Sequence, residues 1–126
     1  MKPLEIVETQ PPAEGRYVAL AVRGYLDAHT VNEFEAHMDR AIEGGALHYL
    51  IDISDLNYIS SAGIGAIMSL TQRLRQAEGE LVLVRPTEKV FKILDKLGFT
   101  KIFRLAYSRE EAEKLLGKTQ NPKRET

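Results

Sequence analysis

Apolar positions along the chain switch between two-residue alternation and the three-and-four spacing of a helix, and the switches predict alternating strands and helices. Residues 4–7 and 16–23 (RYVALAVR) read as strands. The segment between them, residues 10–15, holds two prolines that cannot donate to a sheet, so the strands are expected to pair as an antiparallel hairpin. Val31, Phe34, Met38, Ala41 and Ile42 then recur at helical spacing behind a T-x-x-E capping-box pattern at Thr30 and Glu33, and Gly44-Gly45 ends the run. Residues 46–53 predict a strand. A helix is expected from about Ser61 to Glu78, burying Ile64, Ile67, Met68, Thr71 and Leu74, with Gly79 after it. Residues 80–84 are the next strand. Thr87 opens a helix carrying Val90, Phe91, Ile93, Leu94 and Leu97, which Gly98 ends. Residues 101–105 predict a last strand. Ser108 and Glu111 form a second capping box, for a short helix with Ala112, Leu115 and Leu116 that Gly117 closes.

The order β-β-α-β-α-β-α-β-α is that of an α/β domain. The expected sheet is mixed and mostly parallel, of about five strands, with an antiparallel hairpin at its N-terminal side. Tyr49, Ile51 and Ile53 share one strand face, and His48, Leu50 and Asp52 the other, which is less apolar. The helices should therefore lie mainly on one side. Residues 1–117 form the expected domain, and 118–126 (KTQNPKRET) a polar tail expected to be disordered.

The helix after residue 60 has an unusual outer face. It carries Ala62, Gly65, Ala66 and Ser69, where a helix facing only water would show Lys and Glu. Glycine inside a helix costs roughly 0.5–1 kcal/mol relative to alanine. Gly63 and Gly65 therefore require a reason, and close approach by another surface is one. That surface could be a partner or a neighbouring helix of the same domain. Ser61 stands where this helix needs an N-cap.

Charge and composition narrow the function. There are 17 basic and 18 acidic residues, a formal net charge of −1, which gives no support to nucleic acid or an acidic membrane as the main partner. No apolar run approaches the roughly 18 residues of a membrane span. The start, MKPLEIVETQ, lacks the basic-then-apolar pattern of a secretion signal. With no cysteine in 126 residues, the expectation is a soluble cytoplasmic protein.

Ser60-Ser61-Ala62-Gly63 invites comparison with the hydrolase elbow G-x-S-x-G, but Ile59 stands at the first glycine. A nucleophilic serine also needs a base. Of the three histidines, His37 is placed mid-helix and His48 near a strand start, so only His29 could approach. Gly63-Ile64-Gly65 matches part of the dinucleotide fingerprint, but Met68 replaces its third glycine. No phosphate-binding G-x-x-x-x-G-K-[ST] occurs, and no cluster has metal-ligand spacing. No cofactor or metal is expected.

Three stretches resemble a known family: GYLDAHT at 24–30, DISDLNYISSAGIGAI at 52–67 and ELVLVRPTEKVFKILDKLGFTKIF at 80–103. They look like a STAS domain, and within that family like the bacterial anti-sigma factor antagonists. The resemblance covers nearly the whole chain apart from roughly the last ten residues. It implies a sheet with helices on one face, and a function that is not enzymatic. Such proteins bind an anti-sigma factor with a histidine-kinase-like ATPase fold and serine kinase activity, and the binding frees the sigma factor. Phosphorylation of one serine blocks binding, and a serine phosphatase restores it. Aligned on Gly63 and Gly65, the acceptor falls on Ser61, with Ser60 as neighbour or secondary acceptor. The aspartate of the first loop falls on Asp27, a partner contact. Ala62, Ile64, Gly65 and Ser69 would line the docking face with them. Many members have Asp where this chain has Ser60; others carry the Ser-Ser-Ala-Gly variant. The chain would act as a monomer or weak homodimer. The alternatives are a STAS accessory subunit of a larger signalling or transport ATPase assembly and, remotely, a small serine hydrolase or nucleotide-binding enzyme.

Overall fold

The computed structural model describes residues 2–9 and 17–120, the latter without the side chains of 118–120. The turn expected at 10–15 and residues 121–126 of the expected tail lie outside the described residues. β1 (Leu4–Glu8) and β2 (Val18–Leu26) form the antiparallel pair, with Ile6 opposite Val22. There follow α1 (Val31–Glu43), β3 (His48–Asp52), β4 (Leu56–Ile59), α2 (Ser61–Gln76), β5 (Glu80–Val84), α3 (Glu88–Lys96), a 3-10 turn (Phe99–Lys101), β6 (Arg104–Ala106) and α4 (Arg109–Gln120).

The sheet runs β1-β2-β3-β5-β6, with β4 paired to β2 beyond the end of β3. All pairings after the hairpin are parallel. β2 thus serves two neighbours. Its first half pairs with β3 and its last residues with β4, with a register shift between Gly24 and Tyr25. There are six strands rather than five, because residues 56–59, where no strand was expected, form β4.

Alternation along the strands builds two cores. On one face Leu20, Val22, Tyr49, Ile51, Leu81 and Leu83 pack under Phe34 and Met38 of α1, Ile64, Ile67, Leu70 and Leu74 of α2, and Val90 and Leu94 of α3. On the other, Tyr17, Ala19, Leu50, Val82, Val84 and Ala106 meet Ala112 and Leu116 of α4. Three helices therefore share one face, and the last lies on the other.

Local expectations hold at some helix ends and fail at others. Thr87 caps α3 through its side chain, accepting from the Val90 N–H at 3.1 Å. Ser108 accepts from the Glu111 N–H at 3.0 Å, while the Glu111 carboxylate reaches back to the Tyr107 N–H. Thr30 makes no side-chain cap: its hydroxyl is buried and donates backwards to the Tyr25 carbonyl at 2.8 Å. The last strand is shorter and later than expected, since the 3-10 turn takes 99–101, and α4 runs three residues past Gly117.

Candidate functional site

The sequence-derived site residues meet at the end of the sheet where β2 and β4 stop and α2 begins. Leu26 pairs with Ile59 across these strands. The Ser60 N–H donates to the Leu26 carbonyl at 2.9 Å, which extends the pairing by one bond. Ser60 is still extended (φ −97°, ψ 174°), and α2 starts at the next residue.

This moves the cap. The N-cap of α2 is Ser60, not Ser61: the Ser60 Oγ accepts from the Gly63 N–H at 3.3 Å and its carbonyl from the Ile64 N–H at 2.9 Å. The reason is the unforeseen β4, which holds the chain in the sheet through residue 60. Ser61 occupies the first helical position, is exposed, and its hydroxyl has no hydrogen-bond partner among the described residues.

Gly63 and Gly65, equivalent in sequence, have different roles. A Cβ on Gly63 would lie 2.7 Å from the Leu26 carbonyl oxygen, so its bareness lets α2 sit against the end of β2. A Cβ on Gly65 would meet nothing within 4 Å. Gly65 and Ser69 are exposed and continue the line of Ser61 along α2 at four-residue spacing, with Ala62 half-buried beside them. Two expectations about this face are corrected. Ile64 is 2 % exposed and packs in the core, so its side chain does not line the docking face. Ala66 also turns inward, to the floor of a cavity of ≈ 280 Å³ between α1 and α2, with Phe34, Met38 and Leu70; the Arg73–Asp39 ion pair, 2.6 Å, stands at its rim.

Asp27 is half-buried in the turn between β2 and α1. Its Oδ1 accepts from the His29 N–H at 2.9 Å and the Thr30 N–H at 3.2 Å. Asp27 and Ser61 directly follow the two residues joined by the Leu26–Ser60 hydrogen bond, so one main-chain contact brings the two strand ends together. His29 is exposed in the same turn.

An exposed aromatic pair beside this tip escaped sequence reasoning. Tyr25 and Tyr58 are register partners across β2 and β4, 47 % and 36 % exposed, and the Lys89 ammonium lies 5.4 Å from the Tyr58 ring centre. Each tyrosine stands two residues before a predicted site residue, Asp27 or Ser60. Without β4 nothing in the sequence placed the two side by side. Among the described residues no group of three or more His, Cys, Asp or Glu could hold a metal ion, and no helix is long and apolar enough to cross a membrane.

Known proteins resemble this architecture closely. A family model described as STAS domain matches residues 7–112. BtrV of Bordetella bronchiseptica, named as an anti-sigma factor antagonist, is 32% identical over 104 residues, covering 82% of this chain and 89% of that protein. A crystal structure from Thermotoga maritima, described as an anti-sigma factor antagonist, superposes with a TM-score of 0.75 at 23% identity, covering 90% of this chain and 92% of that one. The anti-sigma factor antagonist SpoIIAA matches in its unphosphorylated form with TM-score 0.68, 23% identity and coverages of 86% and 91%. In its phosphorylated form, from Bacillus, it matches with TM-score 0.64, 20% identity and coverages of 88% and 96%.

Proposed function

The chain belongs to the STAS domain family, and from that premise we propose that it is an anti-sigma factor antagonist switched by phosphorylation of Ser61. It binds an anti-sigma factor in the cytoplasm, releases the sigma factor, and is itself a substrate rather than a catalyst. The partner is an ATPase of histidine-kinase-like fold with serine kinase activity, and a serine phosphatase resets the system.

The observation that carries this reading is the division of labour between the two serines. Ser60 is engaged as the helix cap, while Ser61 is exposed and unpartnered among the described residues. A kinase can reach Ser61 without removing a structural hydrogen bond. That supports Ser61 as the acceptor over Ser60. A phosphoserine carries about −1.5 to −2 charges. At the first position of a helix it meets the positive end of the dipole, a gain of roughly 0.3–1 kcal/mol. The modified domain thus stays folded.

The same group sits beside Ala62, Gly65 and Ser69, whose short side chains permit close approach. A hydrated dianion there holds a partner off. A partner carboxylate at about 6 Å would feel a repulsion of roughly 3–5 kcal/mol before screening, at an effective dielectric near 20. Half of that is about tenfold or more in affinity. The switch requires no change of fold.

The experiment is binding of wild type, Ser61→Ala and Ser61→Asp to the purified anti-sigma factor, with intact mass after incubation with ATP. Ser61→Ala should bind and remain unmodified, and Ser61→Asp should bind at least about tenfold more weakly with nearly unchanged melting temperature. Mass gain in Ser61→Ala would move the acceptor elsewhere.

A further inference from the structure

The opposite end of the strands, where β5 begins, holds a second cluster of charges that the proposed switch does not use. Glu80 is 3 % exposed, yet its carboxylate is fully engaged. Oε1 accepts from the Arg75 Nε at 3.1 Å and from the Leu81 N–H at 3.0 Å, and Oε2 accepts from the Arg104 Nε at 2.7 Å. Arg75 Nη2 also donates to the Ile102 carbonyl at 3.2 Å.

One buried carboxylate thus orients two guanidinium groups from different elements, the last turn of α2 and the start of β6. Both arginine side chains remain well exposed, at 38% and 44%. Both arginines line a cavity of ≈ 650 Å³ that Lys101 of the 3-10 turn also walls. The Lys101 ammonium and both Nη groups of Arg104 have no partner among the described residues.

We infer that this cavity between the end of α2, the 3-10 turn and β6 is a binding site for a small phosphorylated ligand. Planar guanidinium groups suit phosphate oxygens because they offer paired N–H donors, and they are most effective when already oriented. Here the orienting group is Glu80, whose own charge the two arginines cover. Two features oppose an anion: the Glu78 carboxylate on the cavity wall and the negative end of the α2 dipole. Arg75, Arg104 and Lys101 set against Glu78 and Glu80 leave the lining side chains with a net charge of +1, carried by Lys101 and the outward guanidinium edges. A small ligand fits the volume, whereas a duplex nucleic acid would need a wider basic surface than a chain of net charge −1 presents.

The test is a titration of the full chain with inorganic pyrophosphate, followed by amide chemical shifts, with sodium chloride at matched ionic strength as control. Saturable shifts at Leu81, Ile102 and Arg104 with millimolar affinity support the site, and Lys101→Gln with Arg104→Gln should weaken binding about tenfold or more. Lys101→Gln alone, on an exposed residue, keeps the test valid if the double variant fails to fold, and it should weaken binding measurably. The inference is overturned by no saturable shift, by shifts that sodium chloride reproduces, by affinity unchanged in Lys101→Gln, or by shifts centred on Ser61. The first three leave the Ser61 switch untouched, because the two sites lie at opposite ends of α2.

Discussion

Two adjacent serines at the head of α2 have the same chemistry and different surroundings. Ser60 holds a helix N–H, and Ser61 holds nothing among the described residues. Losing the cap in Ser60→Ala should cost about 1 kcal/mol in urea unfolding, and Ser61→Ala less than about 0.5 kcal/mol. Ser60→Asp should retain most of the stability, since both residue types cap well. The glycines separate in the same way. Gly63→Ala forces a methyl against the Leu26 carbonyl and should cost about 1–3 kcal/mol by overpacking. Gly65→Ala should instead stabilise by about 0.5–1 kcal/mol while weakening partner binding, because its methyl meets nothing within 4 Å and projects only into the proposed docking face. Thermal unfolding of the pair, read with a binding assay, checks both signs. The close approach at Gly63 was legible from the cost of a helical glycine, but which serine caps was not, because S-S-A-G-I-G looks alike whichever does.

Elements were legible in proportion to how strongly their periodicity is written. α2 and α3 carry long apolar stripes, and both were expected within a few residues of where they lie. β4 is four residues, LNYI, flanked by turn formers, and only its pairing with β2 makes it a strand. Missing it shifted the α2 cap by one residue and hid the Tyr25–Tyr58 pair. Thr30 misled for a related reason. A T-x-x-E pattern permits a capping box, but the buried hydroxyl is held instead by the Tyr25 carbonyl. α4 covers its sheet face with few large side chains, so Leu116, 1 % exposed, matters more than its place near the chain end suggests. Leu116→Ala should cost about 2–4 kcal/mol, measured by urea unfolding, and should expose the Leu50 and Val82 face to hydrogen exchange.

Across the molecule, acid should act through two groups in separate pH ranges. Burial pushes the His48 imidazole below its ordinary value, with the nearby Glu80 acting the other way. The unfolded chain takes up this proton near pH 6.5, and the folded chain only at lower pH. The stability tied to neutral His48 is therefore full above about pH 6.5 and declines as the pH falls through the folded value. His48→Gln should flatten the difference between unfolding at about pH 7.5 and about pH 5.5. At Asp52 burial favours the neutral acid, but the Ser54 N–H and the Arg85 guanidinium outweigh it and hold the carboxyl below its usual range. That contribution is present above about pH 3.9 and is lost only in stronger acid. Arg85→Gln should move this second loss upward in pH.

The placement of Ser61 rests on a bond between main-chain atoms, the Ser60 amide and the Leu26 oxygen. Exchanging side chains at residue 26, 59 or 60 leaves those atoms where they are, so the Ser61 hydroxyl can keep its address while its flanking residues drift. Adding or deleting one residue within β4 has the opposite effect, because it slips the pairing with β2 and brings a different side chain to the front. Length, more than residue identity, is what this short strand must preserve.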